Sequence, residues 1–167
     1  MRTLVNLVFL LPPISHLFAL RRILLNFVGV QVSPGARING LTSFYGHGPI
    51  HIGESTWLGP RCRFYSSDAA KISIGGHCDI APEVVFLVGS HEFGDSQRRA
   101  GTDRCDDIIV ENGCWIGARS TILGGVCIGH GTVVGAGSLV NKDLPANCVA
   151  AGVPAKPIRY FGADEYS

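Results

Sequence analysis

The chain is predicted to be an all-β solenoid, and three observations predict it. From Val110 to Pro145 an aliphatic residue recurs every sixth position, at Val110, Ile116, Ile122, Ile128, Val134 and Val140. Four residues after each stands Cys114, Ser120, Val126, Thr132, Ser138 or Leu144, mostly small or β-branched. The same beat runs upstream with slips, through Val32, Ile38 and Phe44, then Ile52, Leu58 and Phe64, then Ile74, Ile80 and Phe86. A helix needs an apolar period near 3.6 and a half-buried strand a period of 2, so a strict six fits neither. A short fixed repeat is the signature of a coil in which each unit forms one flat face.

Taken in order along the chain, residues 1–31 form an apolar cap that lies outside the repeat. Thr3 to Leu11 is apolar, stops at Pro12-Pro13, and is too short to span a bilayer. No A-x-A site follows that would complete a secretory signal. Ile14 to Val28 reads as an amphipathic helix, with apolar residues at Leu17, Leu20, Leu24 and Phe27 or Val28 beside Arg21-Arg22. Its stripe either covers the open edge of the first coil or lies on a membrane. The first 53 residues contain no Asp or Glu but hold Arg2, Arg21, Arg22 and Arg37, a basic third that faces an anionic surface or simply solvent.

Residues 32–160 form the coil. In each unit the aliphatic points inward and stacks on its equivalent one turn on, about 4.8 Å away. The small residue fits a tight inner corner. Gly117, Gly129 and Gly135 each follow the aliphatic, where a Cβ would crowd or where positive φ is wanted. The beat fails between Phe86 and Val110, and GSHEFGDSQRRAGTDRCDD, residues 89–107, reads as a loop thrown out of the coil. Long loops in compact domains are usually functional or disordered, and the His91 near the start of this one favours the functional reading. Residues 161–167 form a short tail.

Composition suits one domain: 167 residues, 22 of them Gly, and a formal charge of +1 that gives no ground for nucleic-acid binding. The six cysteines show no C-x-x-C pair, and Cys62, Cys78 and Cys114 sit at the small inward position as compact apolar residues. Retained thiols point to a reducing, cytoplasmic compartment.

The ordered set of S-H before the loop, then W-I-G-A, I-G-A-G-S, x-K-D-x-P and G-V-P-A-K resembles the hexapeptide-repeat acyltransferases over about Val32 to Tyr160. Within them the chain is similar to the sugar O-acetyltransferases: the galactoside, maltose and nodulation enzymes, and those of capsule, colanic acid and O-antigen synthesis. The resemblance implies a left-handed parallel β-helix, an exception to the usual right-handed crossover. It also implies a homotrimer with active sites between subunits and no metal requirement. A saccharide hydroxyl then attacks acetyl-CoA directly.

On that resemblance His91 is the general base, since an imidazole accepts a proton near neutral pH. Glu92 is either its orienting neighbour or a solvated carboxylate. The donor site maps to Trp115, Ala118 and Ala136, where small residues admit an extended pantetheine. It continues to Asn141 and Lys142, and to Pro154, Lys156 and Arg159, whose cations suit the CoA phosphates. The acceptor stretch departs from the galactoside pattern, with Arg61, Arg63 and Asp68 in place of an Asn-containing set, which favours a polysaccharide or O-antigen precursor. Amino-sugar N-acetylation and a non-catalytic scaffold are the alternatives. A γ-type carbonic anhydrase needs a His-x4-His spacing that the chain lacks.

Overall fold

The computed structural model describes residues 1–10 and 15–162. Leu11, the Pro12-Pro13 stop and Ile14 lie outside the described residues, as does most of the predicted tail, 163–167.

Two helices, α1 (Arg2–Phe9) and α2 (Phe18–Phe27), precede a three-sided coil. Its first turn is β1 (Val30–Val32), β2 (Arg37–Ile38) and β3 (Ser43–Tyr45). The second is β4 (Ile50–Ile52), β5 (Trp57–Leu58) and β6 (Arg63–Tyr65). The third is β7 (Ile72–Ile74), β8 (Asp79–Ile80) and β9 (Val85–Leu87). Two further strands, β10 (Gly89–Phe93) and β11 (Ala100–Cys105), leave the coil before it resumes. The fourth turn is β12 (Ile108–Val110), β13 (Trp115–Ile116) and β14 (Thr121–Leu123), and the fifth is β15 (Val126–Ile128), β16 (Val133–Val134) and β17 (Leu139–Val140). Finally β18 (Cys148–Gly152) joins the second face and β19 (Ala155–Tyr160) folds back antiparallel along it. Within the five turns, equivalent strands pair in parallel, which gives three sheets.

The six-residue beat is the inward row. Ile38, Leu58, Ile80, Ile116 and Val134 are fully buried on the second face. Phe44, Phe64 and Phe86 stack on the third with ring centroids 4.9 and 4.8 Å apart, and Phe9 of α1 closes that column edge-on to Phe44. The small partners are buried too, and their hydroxyls are satisfied by the next turn: Ser120 Oγ donates to Gly135 O (3.0 Å) and Thr132 Oγ1 to Pro145 O (2.7 Å). For the glycines, crowding is the reason. A Cβ on Gly117 would lie 2.5 Å from Ala136 N, and one on Gly129 2.5 Å from Ala146 N. Positive φ is met two places further on, at Gly131 and Gly137.

Between Val32 and Val140 the slips all fall on one edge of the prism. Ile52 follows Phe44 by eight positions, Ile74 follows Phe64 by ten, and Val110 follows Phe86 by twenty-four. The other two edges hold six at every turn. The longest excursion is not a loop: β10 and β11 pair antiparallel, Gly89 opposite Cys105 and His91 opposite Asp103. Both strands are largely exposed, so no apolar alternation marked them in the sequence.

Of the two readings of the cap's stripe, covering the first coil is not the one its burial follows. α2 packs Arg21 and Leu25 inward, while Leu17, Leu20 and Phe27 of the predicted stripe are exposed. Two arginines of the basic third are struts. Arg2, nearly buried, donates to Gly46 O, Gly48 O and Ser66 Oγ, each at 3.0 Å. Arg21 donates to His16 O (2.6 Å) and Ile38 O (3.3 Å) and lies over the Phe9 ring. Burial lowers both guanidinium pKa values, with Asp68 pulling Arg2 the other way. Neither is available to an anionic surface.

Candidate active site

The hairpin that carries His91 springs from the edge where the beat fails. Its base is anchored to the coil by Asp106 N donating to Val88 O (3.1 Å) and Gly124 N donating to Leu87 O (2.8 Å). Asp103 stands directly across the hairpin, with its Oδ1 3.0 Å from His91 Nδ1. A proton on Nδ1 donated to that carboxylate leaves Nε2 with a free lone pair, the state in which imidazole works as a base. The pair is open to solvent in a single chain, so its worth lies in setting the ring's tautomer and angle rather than in stability.

Glu92 does not take that place. Side chains alternate along a strand, so Glu92 points to the other face of the hairpin and pairs with Arg104 at 3.3 Å. Arg104 in turn donates from Nε to Asp106 Oδ2 at 2.6 Å, and these carboxylates raise its pKa. Asp103 was not legible in the sequence: it lies twelve positions beyond His91, and only the hairpin register brings them together.

The expected donor residues fall into two groups. Trp115 belongs to a cross-strand row on the second face, paired with Val133, which pairs with Val149, which pairs with Arg159. Exposed Trp115 and Arg159 thus bracket one row, with Lys156 two pairs along β19 opposite Ala151. Ala118 and Ala136 stack at the next edge, where Gly137 N donates to Ala118 O (2.8 Å). Pro154 lies at the β18–β19 turn, in a cis peptide bond with Val153. Asn141 and Lys142 are exposed on the other edge, that of the His91 hairpin, just after β17.

One face of the prism therefore stands between the imidazole and most of the donor set. Ala118 and Gly124 mark its two edges in the fourth turn, six residues or about 20 Å apart in extended chain. A single chain does not bring the two groups together. The acceptor residues divide the same way. Arg61 and Arg63 line a depression of about 370 Å³ with Leu41, Ser43 and Glu83 on the Ala118 side, and Arg61 reaches Glu83 at 3.8 Å. Asp68 sits on the His91 edge, in the corner that Arg2 clamps.

The model for "Bacterial transferase hexapeptide (six repeats)" matches residues 107–142. A protein of Escherichia coli (strain K12) named as a colanic acid biosynthesis acetyltransferase, WcaF, is 32% identical over 143 residues, 86% of this chain and 76% of that protein. The structure of a galactoside acetyltransferase in complex with coenzyme A superposes with a TM-score of 0.83 at 31% identity, over 96% of this chain and 78% of that one. A hexapeptide-repeat acetyltransferase of Vibrio cholerae complexed with acetyl coenzyme A gives 0.79 at 27% identity, over 96% and 85%. The chain belongs to the hexapeptide-repeat acetyltransferases. Its coil is the left-handed β-helix of that family. It spans 52% to 76% of the length of the first curated relatives it matches.

Proposed function

We propose that the protein is an acetyl-CoA-dependent O-acetyltransferase that acetylates a saccharide hydroxyl, acting in the cytoplasm as a homotrimer. The observation that carries this reading is the His91–Asp103 pair, held at 3.0 Å on the one edge where the coil departs from its period. His91 Nε2 takes the proton of the attacking hydroxyl as the oxygen bonds to the thioester carbonyl carbon. The tetrahedral adduct collapses with cleavage of the carbon–sulfur bond, and the imidazolium returns its proton to the departing thiolate. Asp103 is a positioning residue that keeps Nδ1 protonated. No cysteine nucleophile is required. All six cysteines are free, and Cys62, Cys78, Cys114 and Cys148 are buried in the coil.

The separation of His91 from Trp115, Ala118, Ala136, Lys156 and Arg159 supports sites shared between copies. In a cyclic trimer the same two unlike surfaces meet three times, so the hairpin edge of one protomer is set against the donor edge of the next. Acetyl-CoA then lies along the second of these, with its phosphates toward Lys156 and Arg159. Arg61, Arg63 and Asp68 are assigned to the acceptor, for which a polysaccharide or O-antigen precursor is the preferred class. The name of the colanic acid relative favours the same choice.

The test is an acceptor screen that reads free thiol release from acetyl-CoA across simple glycosides, nucleotide sugars, amino sugars and lipid-linked saccharides. The reading predicts turnover with a hydroxyl acceptor and its loss in His91→Ala. Turnover confined to amino sugars would replace it with N-acetylation, and coenzyme binding without any turnover would leave a scaffold.

A further inference from the structure

We propose that the N-terminal helices dock the protein on an anionic lipid bilayer. α1 buries Arg2, Val5 and Phe9 against the coil, and α2 buries Arg21 and Leu25. Leu4, Leu7 and Val8 of α1, and Leu20, Ile23 and Phe27 of α2, are left outward, with Leu4 at 67%, Ile23 at 61% and Phe27 at 76% exposure. In each helix these positions follow three- and four-residue spacing, so each set forms a single stripe.

The helices cover the first turn, α1 against β3 and α2 against β1 and β2. The opposite stripes therefore look away from the coil, beyond the end of the prism. The arginine struts hold this surface in place through backbone carbonyls, so it is presented by a fixed cap rather than a loose arm. Contiguous exposed aliphatic surface of this kind marks a binding face.

Charge selects the occupant. Residues 1–53, which include both helices and the first turn, hold no Asp or Glu. Their accessible cations are Arg22 and Arg37, and the acid that acts on the cap is Asp68, on the inward-facing Arg2. Aliphatic side chains on helices that carry cations and no acid of their own suit the interface of acyl chains and anionic headgroups. Among the described residues no helix is long and apolar enough to cross a membrane, so the contact proposed is one that lies on the surface. It is independent of the acetyl-transfer reading. If both hold, the cap brings the acceptor site to the plane where lipid-linked saccharides reside.

Sedimentation of the full chain with vesicles of phosphatidylcholine and phosphatidylglycerol tests it. The wild-type protein is expected to pellet with these vesicles, and less so in phosphatidylcholine alone. The exposed-site variant Leu7→Ser/Ile23→Ser/Phe27→Ser is expected to bind at least about tenfold more weakly. Its circular dichroism and its mass by light scattering should be unchanged. Arg22→Glu, which leaves the apolar stripes intact, should weaken binding to the anionic vesicles alone. Wild-type protein that stays in the supernatant overturns the proposal, as does equal binding by the triple variant. A triple variant that loses assembly mass would assign the face to another copy of the chain and overturn it equally.

Discussion

Two edges of the prism repay comparison. At the edge between the second and third faces, residues such as Leu41, Arg61, Glu83 and Arg119 recur at one backbone position with positive φ, turn after turn. At the edge between the third face and the first of the next turn, the chain adds residues and finally a nineteen-residue excursion, 89–107. Glycines pack tightly against the next turn at both edges, Gly117 and Gly135 at the regular one and Gly46, Gly48 and Gly124 at the irregular one, so close packing alone does not distinguish them. The irregular edge is free to vary because insertions there project outward and leave the stacked core in register. The candidate base lies where the period breaks, and most of the candidate donor set lies where it holds.

The largest effect that would break this contrast is in the core. Ile116→Asp or Ile128→Asp places a lone charge among fully buried side chains. Loss of soluble folded protein is expected, read by circular dichroism and recovery after centrifugation. A folded variant would contradict the stacked-core account. On the irregular edge the reverse is expected. His91→Ala should keep its melting temperature while kcat falls by about 10²–10⁴-fold.

A finer test separates the two hairpin carboxylates. Asp103→Asn should lower kcat by up to about 10²-fold through a misdirected ring. It should also shift the pH profile of kcat, which a merely structural change would not. Glu92→Gln, which loses only its contact with Arg104, should stay near wild type. If Glu92→Gln is the more damaging, the hairpin register is not what orients the base.

On the regular side, replacing Lys156 and Arg159 together with Ala should raise the acetyl-CoA KM by roughly tenfold or more, with a smaller change in kcat. The opposite split would remove them from the donor site. The smallest effect concerns the thiols. Cys62, Cys78, Cys114 and Cys148 are buried, while Cys105 and Cys127 are half-buried. Alkylation of the native protein at neutral pH should reach the latter two first, and early loss of Cys62 would show a core looser than described.

The coil was legible because its period is carried by side chains that must be apolar or small, from Val32 to Val140. What escaped was set by register and orientation. The hairpin has two exposed faces, so it left no alternation to read, and Asp103 became visible only once paired with His91. The cap's buried face could not be chosen from sequence either: α2 buries an arginine that its backbone partners satisfy, and turns its apolar stripe outward. The separation of His91 from Ala118 and Ala136 likewise needed the third dimension, since strict period says nothing of which edge faces a neighbouring copy.

The account rests on two unlike edges from different copies forming one site. A crystal structure of the protein with bound coenzyme A tests it most directly. The account predicts the coenzyme's sulfur beside His91 of one protomer, with the pantetheine along Ala118 and Ala136 of the next. A coenzyme held by one protomer alone, with its sulfur remote from every His91, would contradict it.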